Sequence, residues 1–208
     1  MISSEPPTVH LVDDDASFRR SMSRVLRRAG YEVREYESAG HFLMAPAPGP
    51  PGCILLDLRM PGPSGLELQE AMAARGDSVP VVFLTGHGDI RQTVHAMRKG
   101  AADFLTKPVD PDELLRVVSD AIASQNEAAA AERERRELAA RYEKLTSRER
   151  EILDHLLAGR LNKQIAGLLG TSERTIKGDR SRLMEKLQVT SLAELVQAAG
   201  RLRTRSTS

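Results

Sequence analysis

Apolar positions follow two different spacings along the first 122 residues of the chain. Short runs, several of them continuously apolar (CILLD, VVFLT), are separated by longer amphipathic stretches. A continuously apolar run of this length is typical of a parallel strand buried on both faces, and the amphipathic stretches favour helices that cover those faces. Strands are predicted at residues 9–13, 32–36, 53–57, 81–85 and 103–106, and helices near residues 16–29, 39–43, 65–74, 90–99 and 112–124. Five strands alternating with five helices indicate an α/β domain with a doubly wound five-stranded parallel sheet.

The remainder of the chain has only helical patterns. Residues 125–145 are rich in Ala, Glu and Arg and contain neither Pro nor Gly, which favours a helix that continues from the preceding one. Four short helices are predicted near residues 147–158, 162–169, 172–187 and 192–202. The predicted organisation is therefore an α/β domain at residues 8–124, a helical linker at 125–145 and an all-α domain at 146–205.

Composition and charge restrict the functions and partners that each part of the chain can have. Hydrophobic residues make up 40% of the 208, and the single cysteine, Cys53, excludes an intramolecular disulfide, which fits a cytoplasmic protein. The N-terminus does not resemble a signal peptide, and no apolar run reaches the ~20 residues of a membrane span, so no membrane partner is expected. Residues 1–122 hold 13 Lys and Arg against 17 Asp and Glu, whereas residues 141–208 hold 14 against 8. A basic, helical second part suits DNA binding.

Polar residues with complementary chemistry follow the predicted strands. They are Asp13, Asp14 and Asp15 after the first strand, Asp57 and Thr85 at the ends of the third and fourth, and Lys107 after the fifth. Since the carboxyl ends of parallel strands meet at one edge of a sheet, the sequence predicts a pocket of carboxylates, a hydroxyl and an ammonium there. The pocket offers oxygen ligands and no His/Cys cluster, which points to Mg²⁺ as its metal ion. A pocket with Mg²⁺, a lysine and a hydroxyl suits the transfer of a phosphoryl group to one of its carboxylates. Asp15 is assigned instead to the start of the following helix.

The segments LVDDD, LLDLRMPGPSG, FLTGHGD and GAADFLTKPVD make residues 8–124 resemble the CheY-like receiver domain of bacterial two-component response regulators. The resemblance implies that Asp57 accepts the phosphoryl group and that Mg²⁺ is held by Asp13, Asp14, Asp57 and the backbone carbonyl of Arg59. It implies that Thr85 is the switch hydroxyl, Phe104 the switch aromatic residue and Lys107 the phosphate-pairing lysine, with a cis Lys107–Pro108 bond. Arg59 and His87 occupy positions that modulate autodephosphorylation in this family.

The segment LTSREREILDHLLAGRLNKQIAGLLGTSERTIKGDRSRLMEKLQV resembles the LuxR-type helix-turn-helix domain of the same regulators, and the whole chain resembles the FixJ/NarL class. Its second helix is expected to enter the major groove. By family position, Lys177 and Ser181 would face bases, and Lys163, Thr175 and Arg182 would lie at or near phosphates. Gly178-Asp179 departs from the family pattern of a larger residue followed by His. Asp179 could pair with Arg182 or Arg180, or accept a hydrogen bond from cytosine.

The resemblance implies a sensor histidine kinase, promoter DNA and RNA polymerase as partners, and a homodimer that forms on phosphorylation. It implies no enzyme beyond a receiver that catalyses its own phosphorylation and dephosphorylation. Two alternatives stay open. One is a regulator that binds DNA without phosphorylation, and the other is a Mg²⁺-dependent phosphatase of the haloacid dehalogenase type, in which Asp13 would be the nucleophile and Asp15 the acid.

Overall fold

The computed structural model describes residues 6–49, 51–86 and 90–203, and the chain divides into two compact units, Met1–Ala128 and Ala129–Ser208. The first unit contains β1 (Thr8–Val12), α1 (Ala16–Arg28), β2 (Glu32–Tyr36), α2 (Ala39–Met44), β3 (Gly52–Asp57), α3 (Gly65–Arg75), β4 (Val81–Thr85), α4 (Ile90–Arg98) and β5 (Asp103–Thr106). Helix α5 (Pro111–Glu143) begins in this unit and extends past Ala128. The second unit continues with α6 (Ser147–Leu157), α7 (Asn162–Leu168), α8 (Glu173–Leu187) and α9 (Leu192–Arg203).

Within the described ranges, the five strands form one parallel sheet in the order β2-β1-β3-β4-β5. Each face of the sheet carries its own apolar core. One core joins the sheet to α1 and α5 through residues such as Leu26 and Leu114, and the other joins it to α2, α3 and α4 through residues such as Phe42 and Leu68. Burial on both faces explains the continuously apolar strands β3 and β4, and the predicted fold class is confirmed.

The start of α1 is fixed by the acidic run that precedes it. Asp15 is the N-cap residue, and its Oδ1 accepts hydrogen bonds from the backbone N–H groups of Ser17 at 2.7 Å and Phe18 at 3.1 Å. These bonds satisfy two N–H groups that have no partner within the helix, and they lower the pKa of the Asp15 carboxyl. The assignment of Asp15 to the helix is confirmed.

The second unit is built around an apolar core contributed by all of its helices. The core includes Ile152, Ile165, Ile176 and Leu195, one from each of α6, α7, α8 and α9. An ion pair between the buried Glu149 and the exposed Lys186 lies beside this core, where Glu149 Oε2 in the first turn of α6 accepts hydrogen bonds from Thr146 N at 2.8 Å and from Lys186 Nζ at 2.7 Å. Thr146 and Glu149 form a capping box at the start of α6.

Helix α5 passes through the predicted linker without interruption. The residues between 125 and 137 are mostly exposed, whereas Leu138 is buried and Tyr142 packs against the core of the second unit. The predicted limits of the domains and of the linker stay predictions. Among the described residues, no helix is both long and apolar enough to cross a membrane.

Candidate functional site

The order of the strands brings the predicted pocket residues to one edge of the sheet. Asp13 follows β1, Asp57 ends β3 and Thr85 ends the neighbouring β4. The register pairs Val12 with Leu56 and Thr85 with Thr106, so the neighbouring strands end at the same level. Lys107 follows β5, and its backbone N–H donates to the carbonyl of Thr85 at 2.8 Å.

Lys107 joins two carboxylates that lie far apart in the sequence. Its Nζ is 2.7 Å from Asp13 Oδ2 and 2.7 Å from Asp57 Oδ2. The exposed fraction of the side chain is 0% for Asp13, 10% for Asp57 and 25% for Lys107, so the ammonium and both carboxylates are largely screened from water. A buried carboxylate of this kind needs a partner, and Lys107 provides one to each.

The protonation equilibria of the pocket reflect this arrangement. Burial raises the pKa of the Asp13 carboxyl above its usual range, although hydrogen bonds from Lys107 and from the Asp15 N–H oppose part of that effect. Burial alone would lower the pKa of Lys107, but its hydrogen bonds to Asp13 and Asp57 outweigh burial and raise that pKa. Lys107 is therefore an ammonium at neutral pH.

Backbone groups close to Asp57, the phosphoacceptor candidate, also fix its position. Its Oδ1 accepts a hydrogen bond from the Arg59 N–H at 3.1 Å. Gly65, the first residue of α3, approaches the end of β3 so closely that a Cβ there would collide with the carbonyl oxygen of Asp57 and crowd the Phe83 ring. Only glycine fits this approach, which places α3 directly behind the phosphoacceptor.

Three carboxylates could hold a metal ion in this pocket. One oxygen each of Asp13, Asp14 and Asp57 lie within 4.8 Å of one another, with Asp14 exposed and the other two buried. An all-oxygen donor set with one solvent-facing side fits Mg²⁺, which keeps some of its water ligands. The N–H of Arg59 contacts Asp57, which places residue 59 at this edge, and the role of its carbonyl as a ligand stays a prediction.

The two switch candidates differ in exposure. Thr85 is only 3% exposed, and its hydroxyl donates to the Leu105 carbonyl at 3.4 Å. Phe104 is 44% exposed, which is high for a phenylalanine. The Lys107–Pro108 peptide bond is cis, as the resemblance implied. His87, assigned to dephosphorylation control, lies outside the described residues.

Sequence reasoning missed two residues of this pocket, Gly65 and Phe18. The Phe18 ring lies under the Lys107 ammonium, with Nζ 4.6 Å from the ring centroid. The position of Phe18, in the first turn of a helix that starts at the acidic run, is a signal that could have indicated contact with the pocket. The close approach of Gly65 depends on how α3 packs on the sheet, and no local pattern shows it.

The helix-turn-helix candidates all lie on exposed positions. They are Lys163 on α7 and Thr175, Lys177, Ser181 and Arg182 on α8. The Thr175 and Ser172 hydroxyls are 2.8 Å apart, and the Ser181 hydroxyl donates to the Lys177 carbonyl at 3.1 Å. This exposure is compatible with DNA contact, and the role of each residue stays a prediction.

Asp179 lies on the inward side of α8. It is buried, as are Ile176 and Leu183 on the same face, and its carboxylate pairs with the exposed guanidinium of Arg182. Of the alternatives that the sequence left open for Asp179, the structure shows the pairing with Arg182. Gly178 has open space around it, with no heavy atom within 4 Å of a Cβ built there.

Comparison with known proteins identifies the class to which this fold and pocket belong. Residues 9–119 match the family model of the response regulator receiver domain, and residues 143–199 match that of the bacterial regulatory proteins of the LuxR family. The chain therefore belongs to the response regulators that join a receiver domain to a LuxR-type DNA-binding domain, and the protein is a transcriptional response regulator.

The individual relatives include FixJ proteins. The transcriptional regulatory protein FixJ of Azorhizobium caulinodans is 42% identical over 191 residues, which cover 92% of this chain and 90% of that protein. A solved structure of the response regulator StyR has a TM-score of 0.79 at 43% identity and covers 94% of this chain and 99% of that one. Full-length FixJ from B. japonicum has a TM-score of 0.61 at 40% identity, covering 94% and 97%. The prediction of a FixJ/NarL-class regulator is confirmed.

Proposed function

We propose that the regulator is switched by a phosphoryl group carried on Asp57, received from a sensor histidine kinase with Mg²⁺ bound. A receiver domain and a DNA-binding domain in one chain point to a sensor kinase and promoter DNA as partners. The observation that supports Asp57 is the pocket itself, where its carboxylate shares Lys107 with Asp13 and lies beside a possible metal site. Asp13, Asp14, Asp57 and the Arg59 carbonyl would hold the ion.

The transfer follows from the chemistry of the pocket. A carboxylate oxygen of Asp57 forms a bond to phosphorus while the bond between phosphorus and the kinase histidine nitrogen breaks, and the imidazole keeps that electron pair. Bound Mg²⁺ supplies positive charge that offsets the charge of the transferring group. The Lys107 ammonium moves from the Asp57 carboxylate to the phosphoryl oxygens and offsets charge there as well. With a small phosphodonor, the same residues let the receiver catalyse its own phosphorylation, and with water its dephosphorylation.

Two residues, Thr85 and Phe104, connect the phosphorylation of Asp57 to the surface formed by α4 and β5. The Thr85 hydroxyl leaves the Leu105 carbonyl and donates to the phosphoryl group, and the half-exposed Phe104 ring turns inward into the space that Thr85 vacates. The surface formed by α4 and β5 changes shape as a result. Val94 and Met97 on α4 are exposed there with Phe104, which supports this surface as the contact of a phosphorylated homodimer.

The dimer then presents two helix-turn-helix units to promoter DNA, where the regulator acts on RNA polymerase. Two linked units on one DNA molecule gain affinity without any new contact to a base. Helix α8 enters the major groove, with Lys177 and Ser181 at the bases and Lys163, Thr175 and Arg182 at the phosphates. Asp179 holds the Arg182 guanidinium, which limits how far this arginine adds to DNA affinity.

Labelling by acetyl phosphate tests the phosphorylation step. With Mg²⁺ present, we expect the full chain to gain one phosphoryl group, and borohydride reduction followed by peptide mass spectrometry to place it at residue 57. Chelation of the metal with EDTA is expected to reduce the initial rate at least about a hundredfold, because the three carboxylates then lack the charge that offsets an incoming phosphate. A label at another aspartate, or a rate that EDTA does not change, would contradict the proposal.

The salt dependence of DNA binding tests the proposed phosphate contact of Lys163. In the full chain, Lys163→Ala is expected to weaken binding to a mixed-sequence duplex about fivefold at physiological salt. It should also reduce the slope of log K against log salt by about 0.9, the value for one lost phosphate contact. Lys144→Ala removes the same charge from an exposed position outside the helix-turn-helix and serves as the control. An unchanged slope in the Lys163 variant would remove this residue from the interface.

The phosphatase alternative has less support. Its nucleophile would be Asp13, whose side chain is fully buried and paired with Lys107, and its acid would be Asp15, whose carboxylate caps α1. The alternative of a regulator that binds DNA without phosphorylation does not explain why the paired carboxylates and Lys107 are present.

A further inference from the structure

The Phe18 ring occupies a defined place beside the Lys107 ammonium. The Lys107 ammonium donates a hydrogen bond to Asp57 Oδ2 at 2.7 Å, and it forms an ion pair with Asp13 Oδ2, also at 2.7 Å. The ring centroid of Phe18 lies 4.6 Å from the same nitrogen, within the distance of a cation–π contact. Two carboxylates and one aromatic face together surround the charge.

The local structure holds this ring in position. The N–H of Phe18 donates to the Asp15 carboxylate at 3.1 Å, so the capping bond fixes the backbone of the residue. The side chain is partly buried and packs against the core that α1 and α5 share with the sheet. Phe18 is therefore anchored from both its backbone and its ring, and the contact with Lys107 does not depend on a freely rotating side chain.

We propose that Phe18 is a positioning residue for phosphoryl transfer and that it acts through Lys107. Asp13 and the Phe18 ring keep their places when Asp57 is phosphorylated, so they hold the ammonium while its third partner changes from a carboxylate to the phosphoryl oxygens. The ring also reduces the access of water to the charge, which strengthens the attraction to the transferring group. This inference rests on the proposed phosphorylation of Asp57.

Fluorinated phenylalanines at position 18 separate the electrostatic effect of the ring from its packing. Each fluorine withdraws electron density from the ring face and weakens a cation–π contact with little change of shape. In the full chain, we expect the rate constant of labelling by acetyl phosphate with Mg²⁺ to fall stepwise from Phe to mono-, di- and trifluorophenylalanine. The total decrease is expected to lie between about twofold and about thirtyfold. The Mg²⁺ concentration for half-maximal rate should stay unchanged, because the carboxylates are not altered.

Substitutions with natural residues give matched controls. Phe18→Tyr keeps an aromatic face and is expected to label near the wild-type rate, and Phe18→Leu is expected to match the trifluorinated protein. Val25→Ala removes a partly buried apolar side chain from the same helix and the same core, and it is expected to lower the unfolding temperature without changing the labelling rate.

A spectroscopic measurement tests the contact itself without phosphorylation. The Lys107 Hε protons should be shifted upfield in the NMR spectrum by the Phe18 ring current, and Phe18→Leu should remove the shift. A fluorine series with no trend, or Hε protons without the upfield shift, would overturn the role of Phe18 while the wild type still labels. A wild type that takes no label would instead overturn the proposed function, and this inference with it.

Discussion

Asp57→Asn is expected to abolish phosphorylation by acetyl phosphate, with a decrease of at least about a thousandfold in the rate. The substituted amide carries no negative charge and is a poor nucleophile toward phosphorus. Intact-protein mass spectrometry over a time course, with Mg²⁺ present, measures the result. We expect the variant to remain folded, because Lys107 keeps its ion pair with Asp13 at 2.7 Å.

Asp15→Asn is the matched control for this substitution. It changes another aspartate at the same edge of the sheet to the same amide, and asparagine is as good an N-cap residue as aspartate, so α1 should keep its start. Its labelling rate is expected to stay within about twofold of the wild type. An Asp57→Asn protein that labels at the wild-type rate would contradict the assignment, and a label found on Asp13 would favour the phosphatase alternative.

The part of the pocket that topology determines could be predicted from the sequence. Apolar runs that end in Asp57 and Thr85, together with the parallel order of the strands, were sufficient to place these residues at one edge. The same argument places Lys107 at this edge, but its contacts at 2.7 Å with both Asp13 and Asp57 depend on side-chain packing that no sequence pattern shows. The same holds for Gly65, whose close approach to Asp57 is a product of tertiary packing.

Asp179 shows a different limit of the sequence patterns. Ile176 and Leu183, seven positions apart, are apolar and lie on the inward face of α8. A position three residues after Ile176 lies on the same face of a helix, so Asp179 falls between these two residues and is buried with them. The helical period contained this information, but an acidic residue on an apolar face is recognised only when its partner, here Arg182, is known.

The point along α5 at which the first unit ends and the second begins is a further result that local patterns left open. The absence of Pro and Gly between residues 125 and 145 predicted a continuous helix, and the structure confirms one to Glu143. No side-chain pattern marks the point at which the contacts change from the core of the first unit to that of the second, since Ala and charged residues fill most of that interval.

Lys107→Met is expected to reduce the labelling rate about a hundred- to a thousandfold, the range for removal of one pre-positioned charge partner of a developing anion. Methionine has a similar length and no charge, so the shape of the pocket is largely kept while Asp13 and Asp57 lose the ammonium at 2.7 Å. Lys99→Met, which removes an exposed lysine paired with Glu70, is the control and should label normally.

The same variant makes a second, independent prediction about the metal. Without Lys107, Asp13 and Asp57 lose the ammonium that pairs with both of them, so the mutual repulsion of the three clustered carboxylates and the burial of Asp13 destabilise the fold. Mg²⁺ should therefore raise the unfolding temperature more in Lys107→Met than in the wild type, because the ion relieves more repulsion in the native state of the variant. If Mg²⁺ raised the unfolding temperature equally in both proteins, the ion would bind away from these carboxylates. If Lys107→Met labelled at the wild-type rate, Lys107 would not be the partner of the phosphoryl group.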